Sequence, residues 1–208
     1  MQRILITGGA GFIGSHTSLL LLEKGYEVII VDSLVNSSSK VIERIKEIVN
    51  LKCPQNVKNL NFIKGDLRDY SVVNNIFSGQ DKIGKPITGV IHFAGLKALN
   101  ESIYKPLKYW DFNLISTINL LKVMNLFQCR TLVFSSSAAV YGSPQKTLID
   151  ESHFLEPINP YGLTKLTIEK ILRNLYESAS EEWKIINLRY FNPIGAHPSG
   201  LLGEVPVG

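Results

Sequence analysis

Tyr161 and Lys165 are the residues of this chain whose types and spacing most plainly offer chemistry. The segment that carries them reads as the start of a helix, and residues at i and i+4 share one helix face. An ammonium beside a phenol stabilises phenolate and lowers a pKa that is otherwise about 10, so the phenol can exchange protons near neutrality. Ser137 ends an apolar run one strand earlier and is placed to hydrogen-bond the same substrate hydroxyl. A tyrosine and a lysine at this spacing are common by chance. What gives the pair weight is the chain around it.

Near the N-terminus, Ile4-Leu5-Ile6-Thr7 runs into Gly8-Gly9-Ala10-Gly11-Phe12-Ile13-Gly14, and an apolar stretch from Leu19 to Leu22 follows. That order reads strand, tight turn, helix, the setting in which a glycine cluster binds a dinucleotide. Gly8 can adopt positive φ, Gly11 leaves no side chain before a pyrophosphate, and Gly14 lets the helix lie close on its strand. The helix start then turns its free N–H groups and positive dipole end to the phosphates. Gly9, Gly11 and Gly14 fit one glycine spacing, while Gly8, Gly11 and Gly14 fit another. A second strand, Glu27 to Val31, ends at Asp32, whose carboxylate suits the adenosine ribose hydroxyls and repels a 2′-phosphate. The expected cofactor is therefore NAD rather than NADP, with Lys165 also able to hold the nicotinamide ribose.

The elements that must position these residues alternate between strand and helix signals. An amphipathic helix carries Val41, Ile42, Ile45, Ile48 and Val49, and Lys52 to Asn59 reads as a polar loop. Leu60 to Lys64 is a third strand, closed by Gly65-Asp66. Ser71 is expected to cap a short helix through Phe77, with a loop from Ser78 to Thr88. Val90 to Phe93 is a fourth strand ending in small residues. Pro106 opens a long helix to about Gln128, Thr131 to Ser135 is a fifth strand, and Lys184 to Leu188 a sixth. A second long helix starts near Tyr161, with Ile168, Ile171, Leu172 and Leu175 on one face. The pattern predicts a doubly wound parallel α/β Rossmann sheet in the order 3-2-1-4-5-6. Residues 1–190 form the NAD-binding domain, and 191–208 begin a smaller substrate-binding region that is largely missing. Ligands bind beyond the carboxyl ends of such strands. There lie Gly8 to Gly14, Asp32, Asp66-Leu67, Phe93 to Lys97, Ser135 to Ser137, and Tyr190-Phe191-Asn192.

Composition excludes several other classes. The 208 residues are 45% hydrophobic and 19% charged, as in globular domains. A net charge of +4 is spread along the chain, which favours an anionic substrate over nucleic acid. Cys53 and Cys129 stand alone and far apart, against a disulfide framework or a zinc site and in favour of a reducing, cytoplasmic setting. No apolar run reaches the length of a membrane span, and the N-terminus does not read as a signal peptide. His92, in a buried strand, reads as a satisfied core histidine. Ser135 and Ser136 read as satisfying backbone groups at the strand end. No spacing suggests a metal.

Together these residues resemble the extended short-chain dehydrogenase/reductase superfamily and, within it, the UDP-glucose 4-epimerase family. The glycine motif is shared across the superfamily. The more specific stretches are H-F-A-G-L-K-A at 92–98, S-S-S-A-A-V-Y-G at 135–142 and R-Y-F-N-P-I-G-A-H-P-S-G at 189–200. The resemblance implies an NAD site lined by Phe12, Ile13, Asp32, Ser33, Asn36, Ser37, Asp66, Leu67, Phe93, Ala94, Gly95, Leu96, Lys97, Asn113 and Phe191. It implies Ser137, Tyr161 and Lys165 as the catalytic trio, which also reaches the cofactor or substrate, and Lys97 and Asn192 as further contacts to a UDP-hexose. Sugar-nucleotide dehydratases of the superfamily carry an Asp-Glu pair where this chain has Ala138-Ala139. Ser33 and Phe112 depart from asparagines seen in epimerases. The implied reaction is reversible oxidation at carbon 4 of the sugar, interconverting UDP-galactose and UDP-glucose. Homodimers of the family pack through the two long helices. Family members continue well beyond the 189–200 stretch, so the 208-residue chain is expected to bind NAD but to epimerise negligibly. Another NAD-dependent nucleotide-sugar epimerase or reductase, or a non-catalytic NAD-binding fragment, stays open as an alternative.

Overall fold

The computed structural model describes residues 2–144 and 148–204. Six parallel strands lie in the order β3-β2-β1-β4-β5-β6: β1 Arg3–Thr7, β2 Glu27–Asp32, β3 Leu60–Lys64, β4 Gly89–His92, β5 Thr131–Ser137 and β6 Lys184–Tyr190. Alternation along each strand sends side chains to two separate cores. Ile6, Val28 and Ile30 meet α1 (Phe12–Glu23) and α2 (Lys40–Lys52) on one face. Leu5, Ile29, Val31, Leu132 and Phe134 meet α3 (Tyr70–Lys82), α6 (Ser116–Leu126) and α7 (Pro160–Ser178) on the other. Both faces are covered, which is why the central strands carry near-continuous β-branched runs.

Several boundaries differ from the sequence expectation. The helix after β3 does not end at Phe77. Burial of Val73, Ile76 and Phe77 carries it across Gly79 to Lys82, and Asp69 caps it rather than Ser71, accepting from the Ser71 N–H at 2.8 Å. Pro54–Asn59 forms a 3₁₀ helix inside the expected loop. A helix not anticipated, α4 (Leu99–Tyr104), precedes Pro106 and is too short to show periodicity. The long helix from Pro106 is three pieces: α5 (Pro106–Tyr109), a π-helical turn (Trp110–Ile115) and α6. Strands β5 and β6 each run two residues further than expected, pairing Ser137 with Tyr190 and Ser136 with Arg189.

The C-terminal stretch folds back on the sheet's α1–α2 side. Ala196 bridges Gly203, Leu202 is buried in that core, and the Leu201 carbonyl accepts from Arg44 at 3.3 Å.

Two glycines show how tightly the first turn is built. Gly8 has φ +67° and Gly14 sits so close to it that a Cβ on Gly14 overlaps the Gly8 carbonyl oxygen and lies 2.8 Å from Gly9 Cα. Gly79, also helical, has nothing within 4 Å of its would-be Cβ. Urea denaturation is expected to separate the two. Gly79→Ala should stabilise by about 0.5–1 kcal/mol, and Gly14→Ala should destabilise by about 1–3 kcal/mol. Equal effects would show that helix propensity, not this close approach, decides the position.

Candidate active site

At the carboxyl edge of β1 the chain turns back into α1 with a bare helix start. Gly8 N–H is bonded to the Val31 carbonyl at 2.8 Å, and Gly11, the N-cap, supplies no side-chain acceptor. The first N–H groups of the helix, at Phe12 and Ile13, thus have no side-chain cap and suit an anion. Asp32 closes one side. It is 8% exposed and accepts from Ala10 N–H at 3.0 Å, Leu34 N–H at 2.9 Å and Ser37 Oγ at 2.8 Å. The carboxylate therefore ties the glycine turn to the loop after β2, where Ser33 is half-buried and Asn36 exposed. A carboxylate has about four acceptor positions, so one stays available for a hydroxyl.

Beyond β3, Leu67 is buried and Asp66 is half-exposed. Arg68 holds the Asp66 carboxyl below its usual pKa, against a smaller opposing push from burial. The same guanidinium pairs with Asp111 and lies 3.6 Å over the Phe112 ring, both in the π turn. One residue on, Asn113 is 1% exposed and spends its whole amide on protein. Its Oδ1 accepts from Leu96 N–H at 2.8 Å, and its Nδ2 donates to the Leu96 carbonyl at 3.2 Å and to Thr164 Oγ1 at 3.1 Å. Asn113 clips the Phe93–Lys97 loop to α7. Phe93, Ala94 and Gly95 remain half-buried along that loop, while Lys97 is exposed and paired with Glu204 at 2.6 Å.

His92 is the satisfied core residue expected. Its Nδ1 meets Thr7 Oγ1 at 2.6 Å and its Nε2 meets Thr117 Oγ1 at 2.9 Å. Since Thr7 Oγ1 accepts from Ala94 N–H and Thr117 donates to the Asn113 carbonyl, the ring accepts at Nδ1 and donates at Nε2. Burial, with a contribution from Lys165, pushes its pKa down to about 3.

Tyr161 and Lys165 lie on the first turns of α7. Asn159 caps this helix through the Gly162 N–H at 2.8 Å, and Pro160 fills its first position, a start signal with a clear physical basis. Tyr161 is 9% exposed, and its ring meets Tyr109 edge-on at 6.4 Å. The expectation that Lys165 lowers the phenol pKa is corrected. Burial raises it, and a hydrogen bond with Ser137 offsets part of the rise. The reason is geometric: Lys165 Nζ donates to the Ser135 carbonyl at 2.8 Å and lies 5.9 Å from the Tyr161 ring centroid. The ammonium is itself buried, which brings it down to about 8, with Glu169 opposing.

Ser136 also departs from expectation. Its hydroxyl donates to Glu169 Oε1 at 2.5 Å, and Glu169 forms a bidentate pair with Arg189. Neither Glu169 nor Arg189 was among the expected site residues. The signal was present, because Glu169 continues the four-residue spacing of Tyr161 and Lys165. Phe191 and Asn192 lie exposed just past β6. Among the described residues no cluster of three or more His, Cys, Asp or Glu could hold a metal. Nor is any helix long and apolar enough to cross a membrane.

A family model described as GDP-mannose 4,6 dehydratase matches residues 5–205. UDP-glucose 4-epimerase GEPI48 of Cyamopsis tetragonoloba is 53% identical over all of this chain and 56% of its own length. UDP-glucose 4-epimerase 1 of Oryza sativa is 52% identical with the same coverage. The crystal structure of UDP-glucose 4-epimerase from Bifidobacterium longum, in complex with NAD+ and UDP, superposes with a TM-score of 0.90 at 46% identity. It covers 100% of this chain and 58% of that one. The chain spans little more than half the length of these relatives.

The buried neutral His92 carries a pH signature. Its folded pKa of about 3 lies below the unfolded value of about 6.5. As pH falls through the unfolded value only the unfolded chain takes the proton, so stability drops until the folded pKa is reached. Lys165, charged in both states in this range, adds no slope. From pH 7 to pH 5, His92 should cost about 2 kcal/mol of unfolding free energy. Urea denaturation at both pH values should show a loss smaller by that amount in His92→Gln. An equal loss in both proteins would refute the assignment.

Proposed function

The chain belongs to the GDP-mannose 4,6 dehydratase family, and we propose that within it the protein is an NAD-dependent epimerase interconverting UDP-galactose and UDP-glucose. The observation that carries this reading is the meeting of Ser137, buried Tyr161 and buried Lys165 at the end of β5, beside a glycine-built helix start. Ala138-Ala139 stand where the family's dehydratases have their acid pair, so no side chain there can expel a hydroxyl. The relatives named as epimerases support the same choice.

The residues fit a dinucleotide. The uncapped start of α1 suits the pyrophosphate, with Gly11, Phe12 and Ile13 beside it and no Cβ at Gly8, Gly11 or Gly14 in the way. Asp32 suits an unphosphorylated ribose, with Ser33, Asn36 and Ser37 at its side. Asp66 and Leu67 border the adenine end, and Phe93 to Lys97, Asn113 and Phe191 the nicotinamide end. When bound, NAD supplies a hydride acceptor and, in its oxidised form, a positive charge. Tyr161 takes the proton of the sugar 4-hydroxyl and returns it, Ser137 orients that hydroxyl, and Lys165 holds the nicotinamide ribose. Lys97 and Asn192 contact the nucleotide sugar. In this reading 1–190 is the cofactor domain and 191–208 opens the substrate region. Exposed Leu107, Ile115 and Leu163 support homodimer formation through the helices that carry them. The two buried free cysteines suit a cytoplasmic setting.

Calorimetry should show NAD binding more tightly than NADP, with the gap narrowed in Asp32→Ala. Equal affinities in the unaltered protein would count against the role given to Asp32. In a coupled assay of UDP-galactose conversion by a version extended to full length, Tyr161→Phe should lower turnover by roughly 10²- to 10⁴-fold with NAD affinity retained. Accumulation of free NADH during turnover would instead identify a reductase or dehydrogenase.

A further inference from the structure

Three consecutive serines end β5, and each engages a different turn of α7. Ser137 lies near enough to Tyr161 to draw its pKa down, the Ser135 carbonyl accepts from Lys165 at 2.8 Å, and the Ser136 hydroxyl donates to Glu169 at 2.5 Å. Tyr161, Lys165 and Glu169 recur every fourth residue, so they form one stripe along the helix. The lowest contact is the most rigid. Glu169 is 6% exposed and takes Arg189 on both oxygens, at 3.0 and 2.7 Å. Arg189 in turn donates to Tyr141 Oη at 2.8 Å, and it is the ladder partner of Ser136. Groups from β5 and β6 thus converge on one carboxylate of α7, and Arg189 extends the link to the turn after β5. Buried ion pairs add little net stability over apolar replacements. Bidentate, charge-assisted bonds do fix geometry.

We propose that Glu169 is a positioning residue for the candidate active site: held by Ser136 and Arg189, it sets the height of α7 on β5, and with it the reach of Tyr161 to Ser137 and of Lys165 to Ser135. The inference rests on the reading of Tyr161 and Lys165 given above. Glu169 is also the carboxylate whose charge acts on the buried ammonium. The other charged or titratable groups facing Lys165 are Tyr161 on α7, neutral His92 on β4, and Arg189 on β6 behind the carboxylate. From β5 come only the Ser135 carbonyl and the Phe134 ring.

The test reads Lys165 directly, without cofactor or turnover, and so is independent of the assigned reaction. The chain is labelled with ¹³C at lysine Cε, the Lys165 resonance is assigned by its loss in Lys165→Arg, and its titration is followed by NMR. The unaltered chain is expected to titrate near the value of about 8. The double variant Glu169→Gln, Arg189→Gln removes the anion without stranding its partner, and its midpoint should fall by about one pH unit, about ten-fold in proton affinity. Ser136→Ala keeps the ion pair and removes only the tie to β5. Its midpoint should fall as the contact with Ser135, which stabilises the ammonium, loosens, and Ser136→Thr should restore it. Thermal unfolding accompanies each titration, because a merely structural role lowers the melting temperature and leaves Lys165 where it was. Unchanged midpoints in the folded variants would overturn the proposal. If the double variant does not fold, Ser136→Ala decides alone.

Discussion

A buried ammonium is the constraint on which this site depends. Taking an unpaired charge out of water costs several kcal/mol, and Lys165 is only 5% exposed. The surroundings answer that cost from every side. The Ser135 carbonyl accepts one N–H hydrogen bond, the Phe134 ring lies 4.8 Å away, and Glu169 sits one turn further along. The same charge dictates what its neighbours can be. His92 is held neutral by burial and by this charge, and its two ring nitrogens are spent on threonines from β1 and α6. A charged imidazole there would add a second unpaired cation to the same dry space.

The two halves of the cleft are built by different means. At the glycine end, shape dominates: the missing Cβ atoms let α1 lie on β1, and Asp32 ties the turn to the next loop. At the tyrosine end, polar bonds dominate, running from β4 through Asn113 to Thr164 on α7. The loop between them, Phe93–Lys97, is common to both. Its Ala94 N–H is bonded to Thr7 at the end of β1, and its Leu96 to Asn113.

Sequence reasoning reached the sheet order and the strand-end residues because both leave local marks. Glycine clusters, β-branched runs and the four-residue helix spacing are visible within a dozen positions. Asp69 was passed over as a cap for Ser71 because both are good caps two residues apart, and only the hydrogen bond separates them. Ser78 to Thr88, which contains Gly79, reads as a loop, yet tertiary burial of Phe77 and Ile76 outweighs the glycine's propensity. The phenol pKa had the wrong direction for a similar reason. Spacing shows that Lys165 is near Tyr161, but not that a carbonyl takes the ammonium and burial prevails. The four-residue spacing points to Glu169, but its partner Arg189 lies 20 positions away, beyond the reach of any local pattern.

The π turn at Trp110–Ile115 has a further meaning. A π turn holds one more residue than an α turn, and one residue rotates a helix by about 100°. Within this turn Asp111 and Phe112 face Arg68 beside β3 while Asn113 faces Leu96 and α7. The irregularity is thus an arithmetic device. Deleting a single residue here would swing everything before it by a quarter-turn or more, parting Arg68 from Asp111 and Phe112 while leaving Asn113 on Leu96 and Thr164.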